Sequence, residues 1–165
     1  MNFRANFMAG NDDTRRRVLA MVPAVLAVAL GVGARRAHGS SSRPPVEVWK
    51  SPTCGCCSGW IEHMQAAGFA VRVNDTGNVA VRAKAGLPDR LGSCHTALVD
   101  GYVVEGHVPA ADIVRLLALR PKALGLAVPG MPIGSPGMEQ GPRRDPYDVL
   151  LVAQDGDTSV WKTYR

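Results

Sequence analysis

The chain has 165 residues, 20% of them charged and 5% aromatic, with a formal net charge of +5. That length allows one domain with its own core. The charge is unevenly placed: residues 1–39 hold six arginines and two aspartates, leaving 13 basic and 12 acidic side chains in residues 40–165. Past residue 39 there is too little excess cation for the clustered basic face that nucleic-acid binding needs, so that function is excluded.

The first 39 residues read as a cleaved export signal. A basic patch at Arg15-Arg16-Arg17 precedes an uncharged apolar run from Val18 to Val32, and small residues follow before Ala37-His38-Gly39. The run is short of the roughly 20 residues a membrane-spanning helix needs, so the exported part is expected not to span a membrane. Paired arginines ahead of the run fit a twin-arginine signal, and an ordinary secretory signal is the alternative. Either places residues 40–165 in the periplasm, with retention of the leader as a membrane anchor the minor alternative. Ser40 to Pro45 is a Ser/Pro linker.

Val46-Glu47-Val48-Trp49 alternates as a strand does. After Ser51-Pro52-Thr53 a helix is expected to about Ala67, with Gly68 capping its end. Cys57, Trp60, Ile61 and Met64 form one stripe at helical spacing and should be buried. Phe69 to Val73 is a second strand, and Asn78 caps a short helix through Ala85. Thr96–Val99 and Tyr102–Glu105 flank Asp100-Gly101, a strong hairpin signal. Pro109 opens a last helix, with Ile113, Leu116 and Leu117 facing inward and Pro121 stopping it. The order is β-α-β-α-β-β-α over residues 46–124, an α/β arrangement of thioredoxin-like type. Residues 125–165 are expected to pack on the same domain, as a Met/Gly/Pro-rich loop without periodicity and a terminal hairpin around Asp155-Gly156.

All four cysteines, Cys54, Cys56, Cys57 and Cys94, lie after the leader. In an oxidising compartment an even count suggests a disulfide framework. However, three thiols within four residues would close only trivial loops. Cys54, at the start of the helix, should be the most exposed and most acidic thiol. Cys57 lies on the buried stripe, where a resolving cysteine would sit. Cys94 falls just before the third strand, where thioredoxin-like proteins carry a cis-proline beside the redox pair, so it should lie near Cys54 and Cys57 despite its distance in sequence.

Three chemistries remain open. A dithiol oxidoreductase needs only Cys54 and Cys57, leaving two thiols able to trap wrong disulfides. Zinc takes one tetrahedral set, which the adjacent Cys56-Cys57 pair strains. Cu(I) selects soft thiolates and tolerates ones that bridge ions, so a polynuclear Cu(I) site suits C-x-C-C plus one thiol from across the pocket. His95 adjoins Cys94 and either faces the thiols or is merely hydrogen-bonded. His63 lies roughly 10 Å along the helix from Cys56. It and His107 read as structural or surface residues. Met131 and Met138, soft donors in an irregular loop, are weaker candidate ligands.

The stretches CGCCSGWIEHMQAAGF, CHTALVDGYVVEGHVPAADIVRLL and GLAVPGMPIGSPGME, between Val46 and Glu139, resemble the signatures of a bacterial periplasmic metal-binding family. It was long catalogued as a domain of unknown function and includes the CopG-type copper-resistance proteins. The resemblance implies a thioredoxin-like domain that binds copper through Cys54, Cys56, Cys57 and Cys94 and serves copper tolerance. Copper ions and other periplasmic copper-handling proteins would be its partners. Redox activity on copper or on thiols is the alternative activity.

Overall fold

The computed structural model describes residues 43–165, and the export signal expected over residues 1–39 lies outside them. The described residues form a mixed α/β domain. Its elements run β1 (Val46–Lys50), α1 (Gly55–Ala66), β2 (Val71–Asn74), α2 (Val79–Lys84), a 3-10 turn (Asp89–Leu91), β3 (His95–Val99), β4 (Tyr102–Glu105), α3 (Ala110–Leu119), β5 (Gly125–Ala127), β6 (Tyr147–Val152) and β7 (Thr158–Tyr164). One seven-stranded sheet has the order β2-β1-β3-β4-β5-β6-β7. The β1–β2 and β4–β5 pairs are parallel, and the other pairs are antiparallel. Both parallel pairs are joined through a helix, as parallel pairing requires.

The expected stripe on α1 is buried: Cys57, Trp60, Ile61 and Met64. Trp60 and Met64 pack with Val46, Val48, Ala97, Val104, Ile113 and Leu126 in the main core. The Trp60 indole N–H donates to the Val108 carbonyl at 2.9 Å, so its one polar atom is satisfied inside the core. Gly68 ends the helix region at φ +85°, the left-handed conformation that glycine adopts without a Cβ penalty. The hairpin turn is Asp100-Gly101, both at positive φ (47° and 86°), as a type I′ turn requires.

The sequence reading needs four corrections. The second strand begins at Val71, because Phe69 is drawn into the core under α1. Asn78 stands at the N-cap of α2 without a side-chain cap; its amide donates instead to the Ser93 carbonyl and the Thr96 hydroxyl. Pro109 is the N-cap of α3 rather than its first residue, since its ψ of 139° is extended. Residues 125–127, expected as loop, form β5 between β4 and β6. The terminal hairpin therefore extends the same sheet. Among the described residues no helix is long and apolar enough to cross a membrane.

Candidate metal centre

β1 and β3 are antiparallel neighbours, with Lys50 opposite His95. The segments leaving β1 and entering β3 therefore meet at one end of the sheet. The first carries Cys54, Cys56 and Cys57, and the second carries Cys94. Their four sulfurs lie within 4.8 Å of one another. Cys54 is the N-cap of α1 and Cys57 lies on its first turn, with Cα atoms 5.4 Å apart and the two sulfurs joined in a disulfide. The acidic, exposed thiol expected at Cys54 is thus absent: the residue is half-buried and oxidised onto Cys57. Cys56 and Cys94 are free and half-buried. Cys56 Sγ lies 3.5 Å from Cys54 Sγ and 3.7 Å from Cys94 Sγ.

A buried polar network holds the backbone at Cys94. The Glu105 carboxylate, fully buried, accepts the Ser93 N–H at 2.7 Å and the Thr96 hydroxyl at 2.5 Å. Arg82 stands 3.6 Å away. Burial pushes the Glu105 carboxyl up, against the downward pull of those hydrogen bonds and the Arg82 charge. Because Thr96 and Glu105 are register partners, this network also ties β3 to β4.

Two histidines face the thiols. His107 Nδ1 donates to the Pro136 carbonyl at 2.8 Å, because a carbonyl can only accept. Burial holds the ring below the usual histidine range, hence neutral. Its bare Nε2 is therefore the atom 3.1 Å from Cys94 Sγ. His107, expected to be structural or surface, is buried and held by Pro136, and it also stands with Cys94 and His95 in a group that could hold a metal ion. The missed signal lies in the hairpin. Its two-residue turn fixes Val99 opposite Tyr102 and Thr96 opposite Glu105, and continuing that register sets Cys94 across from His107. His95 does face the cluster, with Nδ1 3.4 Å from Cys94 Sγ and Nε2 without a hydrogen-bond partner. Its ring packs on Trp60, and burial, then His107, lowers its pKa to about 3. His63 is structural, as expected: its Nε2 accepts the Ala110 N–H at the start of α3.

The Gly/Pro/Met segment lies directly on α1. A Cβ placed on Gly59 would sit 2.9 Å from Gly137 Cα, so the two backbones approach as only paired glycines allow. Met138 is held in this strap by its backbone: its N–H donates to the Ser135 carbonyl, and its carbonyl accepts from Gly134. Met131 is half exposed, on the rim of a cavity of about 400 Å³ that Ser93 and Cys94 also line.

The family model described as "Protein of unknown function, DUF411" matches residues 91–138, the stretch from Leu91 through Cys94, His107 and the strap. Two solved structures, titled as forms 2 and 1 of the copper resistance protein CopG, are each 46% identical and cover 74% of this chain. The match spans 99% and 98% of those chains, with TM-scores of 0.71 and 0.70. This chain belongs to the CopG family. No curated protein matches it.

A CopG-family chain with this thiol arrangement must lose protons to take up metal. Burial, and then the neighbouring Cys56, push the Cys94 thiol up to about 12. A metal-free Cys94 thus keeps its proton at neutral pH, and an ion bound there would have to displace it. Each unit drop in pH is therefore expected to weaken metal uptake through Cys94 about tenfold. Competition titrations between about pH 6 and about pH 8 check this, and an affinity that does not move with pH would show that no proton leaves.

Proposed function

We propose that this protein is an exported, periplasmic copper-handling protein of copper tolerance, and that its reduced form holds several Cu(I) ions at Cys54, Cys56, Cys57 and Cys94. The supporting observation is the gathering of four sulfurs within 4.8 Å of one another from two chain segments. Soft thiolates select Cu(I), and a sulfur that bridges two ions lets a small pocket hold more than one. Zinc, with its single tetrahedral set, uses such a cluster less well. The order β2-β1-β3-β4, with α1 leaving from the C-x-x-C, is read as thioredoxin-like and extended by three strands. In this reading the thiolates take the copper and Glu105 keeps the Cys94 backbone in place. Met131, on the cavity rim, is a soft donor for ions arriving from a periplasmic partner.

The test is a metal count. Reduced protein loaded anaerobically with Cu(I) should carry more than one ion per chain, and Cys56→Ser should lower that number. A count of one or fewer, unmoved by Cys56→Ser, overturns the reading.

A second reading, an oxidoreductase acting on thiols or copper, draws on the Cys54–Cys57 disulfide. It requires that Cys54→Ser alone abolish turnover while Cys56→Ser is tolerated.

A further inference from the structure

With Cys54 and Cys57 joined, the four-thiolate set is halved, yet the pocket keeps a second group of donors. Cys94 Sγ and the ring nitrogens of His95 and His107 also lie within 4.8 Å of one another, and neither histidine is exposed. None of the three belongs to the disulfide. They come from the entry to β3, Cys94 just before it and His95 at its first position, and from just beyond β4, which continuation of the hairpin register brings side by side.

We propose that the disulfide form of this protein binds one divalent cation of borderline softness, Zn²⁺ being the probe, through Cys94, His95 and His107. Three features carry this. His107 is arranged as a ligand: its Nδ1–H is committed to the Pro136 carbonyl, which fixes the tautomer and aims the free Nε2 lone pair at Cys94. His95 keeps Nε2 unpartnered in a fully buried ring, beside Nδ1 at 3.4 Å from the same sulfur. One thiolate with two imidazoles is a mixed S/N set, which suits Zn²⁺ rather than the all-sulfur environment that selects Cu(I). A fourth position is open to Cys56, 3.7 Å from Cys94, or to water from the cavity beside Ser93 and Met131.

This inference rests on the copper reading for the reduced form, and it adds a rule for switching between them. Reduction of the Cys54–Cys57 disulfide by a dithiol takes up two electrons and two protons, releases two thiols and oxidises the reductant to its own disulfide. The pocket then changes from a mixed S/N site for one divalent ion to a sulfur site for Cu(I). The state of the C-x-x-C thereby sets the ion preference.

The experiment uses the full chain in both states, with the disulfide verified by mass. The oxidised protein is equilibrated with Zn²⁺ and the reduced protein with Cu(I). Oxidised protein should take one Zn²⁺, and His107→Gln should weaken that binding by on the order of a hundredfold or more, because loss of even an outer-shell partner of a ligand costs roughly 10–100-fold. X-ray absorption of the zinc-loaded wild type keeps the test independent of whether that variant folds. It should show two nitrogens at about 2.0–2.1 Å and one or two sulfurs at about 2.3 Å. No zinc uptake by the disulfide form, or a shell without imidazole nitrogen, overturns the inference; multiple Cu(I) ions in the reduced protein would then leave the copper reading standing. Zinc uptake with the imidazole shell alongside a single Cu(I) in the reduced protein would do the reverse.

Discussion

Replacing Cys94 by serine is expected to impair metal loading in both states of the protein at once. Reduced C94S should hold at most one Cu(I), and oxidised C94S should lose Zn²⁺ binding. Cys94 is the one residue shared by the four-sulfur group and the sulfur–imidazole group. Its sulfur lies 3.7 Å from Cys56, 3.1 Å from His107 and 3.4 Å from His95. Serine nearly matches its shape, but a hydroxyl is a hard donor and keeps its proton at neutral pH. The fold should survive, because the backbone there is fixed by Ser93 and Thr96 on Glu105 rather than by the thiol. Metal counts after anaerobic dialysis, read beside a thermal unfolding curve, decide the matter. A normally folded C94S with the parent's copper count would refute the shared-ligand assignment.

Gly137→Ala is expected to cost about 3 kcal/mol of stability, combining left-handed strain of roughly 1–2 kcal/mol with overpacking of roughly 1–3 kcal/mol. Gly137 sits at φ +84°, and a Cβ on it would meet Trp60 N at 2.5 Å and the Cys56 carbonyl at 2.6 Å. Both obstacles are helix backbone, which cannot swing aside as a side chain can. The strap must therefore lift, taking with it the neighbouring Pro136 carbonyl that receives the His107 N–H. Gly141→Ala is the control: it too has positive φ, but a Cβ there meets nothing within 4 Å, so it should cost only the strain, about 1 kcal/mol. Urea midpoints compare the two, and nitrogen NMR of His107 reports whether its tautomer is still locked. Equal midpoints for the two variants would mean that the Gly59–Gly137 contact does not hold the strap.

How far the sequence revealed this molecule depended on how local each cause was. The α1 stripe, the Asp100-Gly101 turn and the terminal hairpin are written in nearby residues, because periodicity and turn chemistry act over a few positions. The gathering of Cys94 with Cys54, Cys56 and Cys57 was readable once the strand–helix order was assigned. β5 was not, since Gly125, Leu126 and Ala127 are buried on both faces and show no alternation. Asn78 looked like a cap because caps are its common use; nothing nearby told that Ser93, just before β3, and Thr96 within it would take its amide instead. His107 was half legible. The register that sets it across from Cys94 was available, but the Pro136 carbonyl that aims its ring comes from 29 residues further along the chain.

The antiparallel junction of β1 and β3 has one more consequence. Five register pairs, from Val46–Val99 to Lys50–His95, anchor the two segments that carry the sulfurs. Folding itself has therefore already met the entropic cost of gathering the donor atoms. In a small zinc-dependent domain the ion assembles the fold, and removing it unfolds the chain. Here the continuous sheet and the packed core are built from residues other than the four cysteines, so removing metal is expected to leave the scaffold folded. Such independence suits the metal-carrying role proposed above better than that of a structural rivet.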